Sequence, residues 1–518
     1  MGSERNTGGD GGGTETDSIS VIETAFTVGL VLAGAFLLDG LVHPRRVAPF
    51  RPWRSIAGSW ILVLLNLALF GGFLGLSGNP ALAGVLTLAL QLLFVCASNA
   101  KRRLLGEALL FSDLALIGGV FRHPQFYLSA LKGWQKACAV LAAGALTAAF
   151  AWLFVPVAAP HIQGAVMCAI ALSLLVLSLR LMPTRRMVAT PGAEDAVIEL
   201  GLLPSILVYW LRWRESADPP VLAAPGHRVS REVEPELIVA IQCESFADPA
   251  DLFGDPAFKL MGLESARAAA WQWGNLLVSG FGAYTMRTEY GVLFGREEEA
   301  LGFRQYDPFL TARGEASYAL PHRLGTDRWR SVFVHPHDMR FYGRDQILPA
   351  AGFTELVGKE HFAQPAPGEG PYVTDAAIAD KILALAEAVC RPTLIYAVTI
   401  ENHGPWSTAQ GNKPDQLVRS YNQLVRAGDT MLTRLWEGLA GLKRPALLVF
   451  FGDHRPSIPG ACEPFGERHT PYVMLRLDGE GQVVTGGNMR VDITPARLHH
   501  TIIEAVLGKS ACDNEVAS

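Results

Sequence analysis

Neither sign of charge dominates this chain, and cysteine is sparse and scattered. Charged residues make up 18% of 518, with a formal net charge of −5. No basic surface of the kind nucleic acid requires is implied, so nucleic acid is not expected as a partner. Seven cysteines occur without one Cys-x-x-Cys pair, which argues against a zinc knuckle. Cys96, Cys138 and Cys168 sit inside apolar blocks and read as core packing. Cys243, Cys390, Cys462 and Cys512 leave room for one disulfide but assign none. No basic n-region precedes the first apolar block, and no small-residue cleavage site ends it. That block is therefore expected to be a retained span rather than a signal peptide. Beyond residue 235 there is neither an internal repeat nor a low-complexity segment.

What is present is lopsided. Mean hydropathy is +0.23, and long apolar runs crowd the first two hundred residues. Residues 1–18 read as a disordered tail rich in Gly, Ser and Thr. A membrane domain is expected over 19–190, with five spans at 19–42, 57–77, 80–98, 137–157 and 162–182, each near the ~20 residues a spanning helix needs. Gly106–Tyr127, broken by Glu107, Asp113 and Arg122, is expected to form surface helices. Ala196–Trp213 contains Glu199, Pro204 and Arg212, so an interfacial position is slightly favoured over a sixth crossing. An interfacial helix and a Pro-containing linker then fill 191–235. The basic clusters around Arg45–Arg54, Lys101–Arg103 and Arg180–Arg186 favour the cytoplasm by the positive-inside tendency. They would leave the domain beyond residue 235 on the cytoplasmic side as well.

From 236 to 510 the pattern changes to a soluble domain. Strand-like runs at Leu237–Gln242, Ser331–Val334, Thr393–Thr399, Leu447–Phe451 and Tyr472–Leu477 alternate with helical spacing at Asp375–Val389 and Asp415–Leu439. This alternation predicts an α/β layer fold with a central, mostly parallel sheet. Glu244, His403, Asp453 and His454 fall at or just past strand ends, where such folds bind ligands. Taken singly, each is an ordinary turn or surface residue. Together with Thr285, in Phe281-Gly282-Ala283-Tyr284-Thr285-Met286-Arg287-Thr288-Glu289-Tyr290, they supply carboxylates, imidazoles and a hydroxyl, the inventory for a metal site with a nucleophile.

In order and separation, these segments resemble the lipoteichoic acid synthase family of the alkaline phosphatase/sulfatase superfamily. The resemblance covers roughly residues 237–507, and five preceding spans fit the family's layout. Thr285 lies four residues before Glu289-Tyr290, as the family's nucleophilic threonine lies four before Glu-Phe. Glu244, Asp453 and His454 match its metal ligands. In His335-Pro336-His337-Asp338-Met339-Arg340-Phe341-Tyr342-Gly343-Arg344, the residues His335, Tyr342 and Arg344 fit its substrate pocket, with Tyr in place of the usual Trp. His403 matches the histidine facing the phosphoglycerol. The residues around Thr285 depart from those of the Gram-positive synthases. The closer likeness is to proteobacterial members that decorate periplasmic or surface glycans. No Cys-x-Pro-x-Arg surrounds Thr285, so the formylglycine of true sulfatases cannot form.

The resemblance implies a multi-pass protein of the bacterial inner membrane with its catalytic domain in the periplasm or outside. The implied reaction transfers phosphoglycerol from phosphatidylglycerol to a glycan, polyol or glycerol-phosphate acceptor. Thr285 would pass through a phospho-threonine, and Glu244, Thr285, Asp453 and His454 would hold a divalent metal, Mn²⁺ ahead of Mg²⁺ or Zn²⁺. Transfer of phosphoethanolamine, or a catalytically silent glycan-binding scaffold, are the alternatives.

Overall fold

The computed structural model describes residues 12–45, 54–115, 133–223, 235–365, 370–388, 390–406 and 413–508. The chain divides into two compact units. One comprises Met1–Arg103 and Glu107–Arg214, the other Leu104–Gly106 and Glu215–Ser518.

The first unit is helical. Among the described residues, α1 (Gly12–Asp39), α2 (Ile56–Ser77), α3 (Pro80–Leu105), α4 (Gly133–Leu153) and α5 (Ala158–Leu181) are the five helices long and apolar enough to cross a membrane. α1 begins at Gly12 rather than after residue 18. The earlier part of the expected tail lies outside the described residues. α2 ends at Gly78, which takes a left-handed φ of 68°. α2 and α5 approach through glycines: a Cβ on Gly164 would stand 2.2 Å from the Gly75 amide nitrogen. Small residues at this crossing let two backbones meet where lipid offers no hydrophobic drive.

Of the expected surface helices between 106 and 127, only Phe111–Ala115 lies within the described residues and is helical. Ala196–Trp213 is split into α6 (Ala193–Leu200) and α7 (Leu202–Arg214) at Gly201, φ 89°. Neither is long enough to span alone. Cys96 and Cys138 lie exposed on the helix surfaces rather than packed inside, and none of the six described cysteines forms a disulfide.

The second unit is built on an eight-stranded sheet of order β4-β3-β5-β1-β6-β7-β2-β8. Its strands are β1 (Leu237–Cys243), β2 (Gln272–Leu276), β3 (Arg330–Val334), β4 (Glu355–Val357), β5 (Thr393–Val398), β6 (Ala446–Gly452), β7 (Thr470–Leu477) and β8 (Met489–Arg490). The sheet is parallel except where β7 pairs antiparallel with β6 and with β2. Every residue of β1 and β6 is buried, as expected of central strands covered on both faces.

Alternate side chains feed two cores. Ile238, Ala240, Leu447 and Val449 join Tyr290, Val292, Leu498 and Ile502, carried by α9 (Thr285–Phe294) and α12 (Pro495–Leu507). Val239, Ile241, Leu448 and Phe450 join Leu263, Ile382 and Leu435, carried by α8 (Met261–Ala269), α10 (Asp375–Glu387) and α11 (Pro414–Gly441). The period of two along each strand thus sets a three-layer arrangement. β2, β4 and β8 were not anticipated.

Candidate active site and metal centre

β1 and β6 run side by side with Cys243 opposite Gly452. Glu244 and Asp453 therefore leave the sheet together at its carboxyl edge. Gly452 permits that approach, since a Cβ there would stand 1.8 Å from the Phe246 carbonyl oxygen. Ser245 turns the chain at φ 51°, and its amide donates to Asp453 Oδ1 at 2.8 Å. The His454 amide donates to the same oxygen at 2.9 Å. Asp453 Oδ2 is left buried with no hydrogen-bond partner, a costly condition for a carboxylate. His454 Nδ1 is engaged by the Arg455 carbonyl oxygen at 3.1 Å. Nε2 is thereby turned to within 3.5 Å of both Glu244 Oε1 and Asp453 Oδ2. Ligand atoms of Glu244, Asp453 and His454, all buried, lie within 4.8 Å of one another.

Burial and the nearby Asp453 carboxylate push Glu244 up to about 8. Two carboxylates and one imidazole around an unpartnered buried oxygen are a donor set suited to a divalent cation. With its folded pKa above its unfolded value, Glu244 keeps a proton in the folded chain that the unfolded chain releases. The metal-stripped protein should therefore lose stability as pH rises through the window ending near 8. Mn²⁺ added at about pH 7 should displace about one proton per chain, read with an indicator in weak buffer, and Glu244→Gln should abolish that release. Metal binding by the unmodified protein without proton release would contradict this account.

Thr285 is the first residue of α9 and is partly exposed, whereas Met286 to Phe294 behind it are all buried. Three bonds fix it. Gln242 Nε2, on β1, donates to the Thr285 carbonyl oxygen at 3.2 Å. Thr288 Oγ1 donates to the Asp453 carbonyl oxygen at 2.7 Å. Glu289 takes a two-pronged bond from Arg344, Nε to Oε1 at 2.9 Å and Nη2 to Oε2 at 2.5 Å. Tyr284, just before the helix, holds φ 77° with the Arg287 guanidinium 3.9 Å over its ring. A bulky residue in that region is strained, and such strain gathers at functional sites. Among the described residues five non-glycines have positive φ. Three of them, Ser245, Tyr284 and Tyr342, stand next to site residues or are one.

The remaining sequence candidates gather here too. His335, at the end of β3, gives Nδ1 to the Val398 carbonyl oxygen at 2.9 Å. Burial and the Arg344 charge hold it well below the usual histidine range. His403, past β5, gives Nδ1 to the Gly404 carbonyl oxygen at 2.7 Å, and burial lowers it likewise. Both rings are thus neutral, with Nε2 an acceptor. Such rings suit partners that bring a hydroxyl proton. Tyr342 lies under the Arg344 guanidinium at 5.1 Å.

Arg344, placed in the substrate pocket by the resemblance, has its fork taken by Glu289, with both side chains essentially buried. Sequence reasoning missed Tyr372, whose ring meets His403 at 5.7 Å and whose hydroxyl pKa is raised by burial and then by Glu244. It also missed Thr399, whose Oγ1 accepts the Glu244 amide at 3.0 Å. A second cluster, Asp251, Glu467 and His469, already contains a cation. Arg455 Nη2 lies 2.9 Å from Asp251 and 2.8 Å from His469 Nε2.

A family model described as Sulfatase matches residues 236–506. The capsular polysaccharide biosynthesis protein RkpI of Rhizobium meliloti (strain 1021) is 30% identical over 428 residues, 79% of this chain and 79% of that protein. A putative cyclic beta-1,2-glucan modification protein of the same strain is 26% identical over 311 residues, 55% of this chain and 47% of that one. Among solved structures, the integral membrane lipooligosaccharide phosphoethanolamine transferase A (EptA) from Neisseria meningitidis shares the fold. Its TM-score is 0.52 at 12% identity, over 94% of this chain and 96% of that chain. With the family model spanning the sheet from β1 to α12 and the likeness to RkpI running through most of the chain, this protein belongs to the sulfatase family.

Proposed function

We propose that this sulfatase-family member is a membrane-bound, metal-dependent transferase. It moves phosphoglycerol from phosphatidylglycerol to a periplasmic or cell-surface glycan or polyol. The observation that carries the reading is a partly exposed Thr285 at a helix start whose first turn is bonded to the strand ends bearing Glu244 and Asp453. The absence of a Cys-x-Pro-x-Arg sequence there disfavours sulfate-ester hydrolysis.

Glu244, Asp453, His454 and Thr285 would hold the divalent metal, Mn²⁺ or else Mg²⁺ or Zn²⁺. When bound, it supplies positive charge that lowers the cost of deprotonating a hydroxyl and of crowding charge on phosphorus. Thr285 Oγ forms a bond to phosphorus as the bond from phosphorus to the diacylglycerol oxygen breaks. The threonine proton ends on diacylglycerol. An acceptor hydroxyl then attacks the phospho-threonine, and its proton returns to Thr285. His335 and His403, neutral and with acceptor Nε2 atoms, suit the hydroxyls of a glycerol head group. Tyr342 and Tyr372 supply flat surface beside them, and Arg344 adds positive potential while holding α9.

The membrane is the bacterial inner membrane, with the catalytic unit on its outer side. That orientation rests on the chemistry and opposes the basic residues, of which Arg54, Lys101 and Arg102 are held in ion pairs with Asp39, Asp113 and Glu194. The test is incubation of purified full-length protein with head-group-labelled phosphatidylglycerol or phosphatidylethanolamine, with a reporter fused after Ser518 to read the side. Diacylglycerol release and label on protein from phosphatidylglycerol alone are expected. Release only from phosphatidylethanolamine would reassign the donor, and release from neither would favour a silent scaffold.

A further inference from the structure

The chain from Trp273 to Ser279 is extended and has one open side. Residues 272, 274, 276 and 278 are buried, while Trp273, Asn275, Leu277 and Ser279 are not. The extension continues past β2, because the Leu277 amide bonds to the Ile493 carbonyl oxygen at 2.8 Å. This open side lines two cavities. Trp273 and Asn275 line one of about 460 Å³, and Leu277 and Ser279 line another of about 440 Å³. His469 lines both. The second cavity is also lined by Arg287 and Thr288, in the opening turn of the helix that starts at Thr285. Six residues of strand cover about 20 Å, the span of a short oligosaccharide.

We infer that this groove along β2 seats the acceptor, and that the acceptor is an uncharged sugar chain rather than a poly(glycerol phosphate). The inference rests on the transferase reading above and adds the acceptor's class and its place.

Charge decides between the two chains. Carboxylates outnumber guanidinium groups in both cavities, four to three around Leu277 and three to two around Trp273. One of the acids in each cavity, Asp251 and Glu467, also faces Arg455, so neither cavity carries the net positive charge that would hold a polyanion. Sugar hydroxyls both donate and accept, so they match alternating carboxylate, guanidinium and amide groups.

Trp273 contributes a large, partly exposed ring, with Arg267 at 5.6 Å and Arg490 at 5.3 Å from its centroid. An aromatic ring with guanidinium groups over it offers apolar and hydrogen-bonding surface together, which suits a pyranose, apolar on its ring faces and polar around its edge. Asp248 and Glu264 neutralise Arg267. Arg490 is exposed and has no ion pair among the described residues, so its guanidinium remains for ligand oxygens.

Binding is measured on full-length protein in detergent with neutral glucan hexasaccharides of β-1,2, β-1,3 and α-1,4 linkage, and with a glycerol phosphate hexamer as the anionic counterpart. At least one glucan should bind, and more tightly than the anionic chain. Trp273→Ala should weaken it about fivefold to tenfold, with Trp273→Phe recovering part of the loss. Arg490→Ala, at an exposed position that does not threaten folding, should weaken it severalfold. Thr285→Ala should leave the glucan affinity unchanged. Absence of donor cleavage by the unmodified protein, with glucan binding intact, would refute the transferase reading without touching the groove. Absence of binding by every glucan, tighter binding of the glycerol phosphate hexamer, or glucan binding indifferent to both Trp273→Ala and Arg490→Ala overturns the inference.

Discussion

Thr285→Ala should reduce diacylglycerol release from phosphatidylglycerol to background. It should also erase the phosphoglycerol adduct that mass spectrometry finds on the unmodified protein when it is quenched with donor and no acceptor. The expectation is large because the substitution removes the attacking atom and a proposed metal contact at once. It is specific because the other two hydroxyls on α9 are buried and spent: Thr288 Oγ1 donates to the Asp453 carbonyl oxygen and the Tyr290 hydroxyl to that of Ala312. Thr288→Ala forfeits that one bond, about 1 kcal/mol, and should retain an adduct at Thr285. A helix N-terminus also presents amide hydrogens and the positive end of its dipole to anions, which suits a phosphoryl group there. Undiminished release by Thr285→Ala would leave direct transfer, or attack by water, as the mechanism.

The second large effect falls on stability. Arg344 and Glu289 form a two-pronged pair with side chains 1% and 0% exposed. Removing one partner leaves the other charge buried and uncompensated, which typically costs about 3–5 kcal/mol. Arg344→Ala should therefore lower the melting temperature substantially and loosen α9, on which Thr285 sits. The double variant Arg344→Met/Glu289→Leu, which buries no charge, should recover much of the loss. This gives Arg344 a structural role besides the substrate-pocket position that the resemblance implies. An Arg344→Ala protein that melts normally and shows only a raised KM for donor would leave only the substrate-pocket role.

The strands that carry ligands were legible because each is a continuous apolar run that stops abruptly at an acid or a histidine. Ala446-Leu447-Leu448-Val449-Phe450-Phe451 before Gly452-Asp453-His454 is the clearest case. That β1 and β6 are neighbours, bringing Glu244 to Asp453, was not legible, since about two hundred residues separate them and register is a tertiary property. β2 escaped notice because Gln272-Trp273-Gly274-Asn275-Leu276 alternates across a half-open edge and contains a glycine and two amides, a composition that reads as loop. Tyr372 carried no signal at all, being one aromatic in a Pro- and Gly-rich stretch. The pairing of Arg344 with Glu289 was hidden for a related reason: sequence shows an arginine in a pocket motif but not which carboxylate it meets.

Gly452 has a consequence for how activity in this fold is graded. The separation of Glu244 from Asp453 is set beneath the site, where a backbone carbonyl lies 1.8 Å from the place a methyl would occupy. No ligand identity is involved. One added carbon would wedge the two strand-end turns apart while every donor atom stayed in the sequence. A protein altered this way would keep the full motif and fail to hold its cation. Inventories of ligands alone would misclassify such a chain as competent. Whether a member of this fold is a working enzyme or a silent receptor for glycans is then written as much in the steric clearance under its motif as in the motif itself.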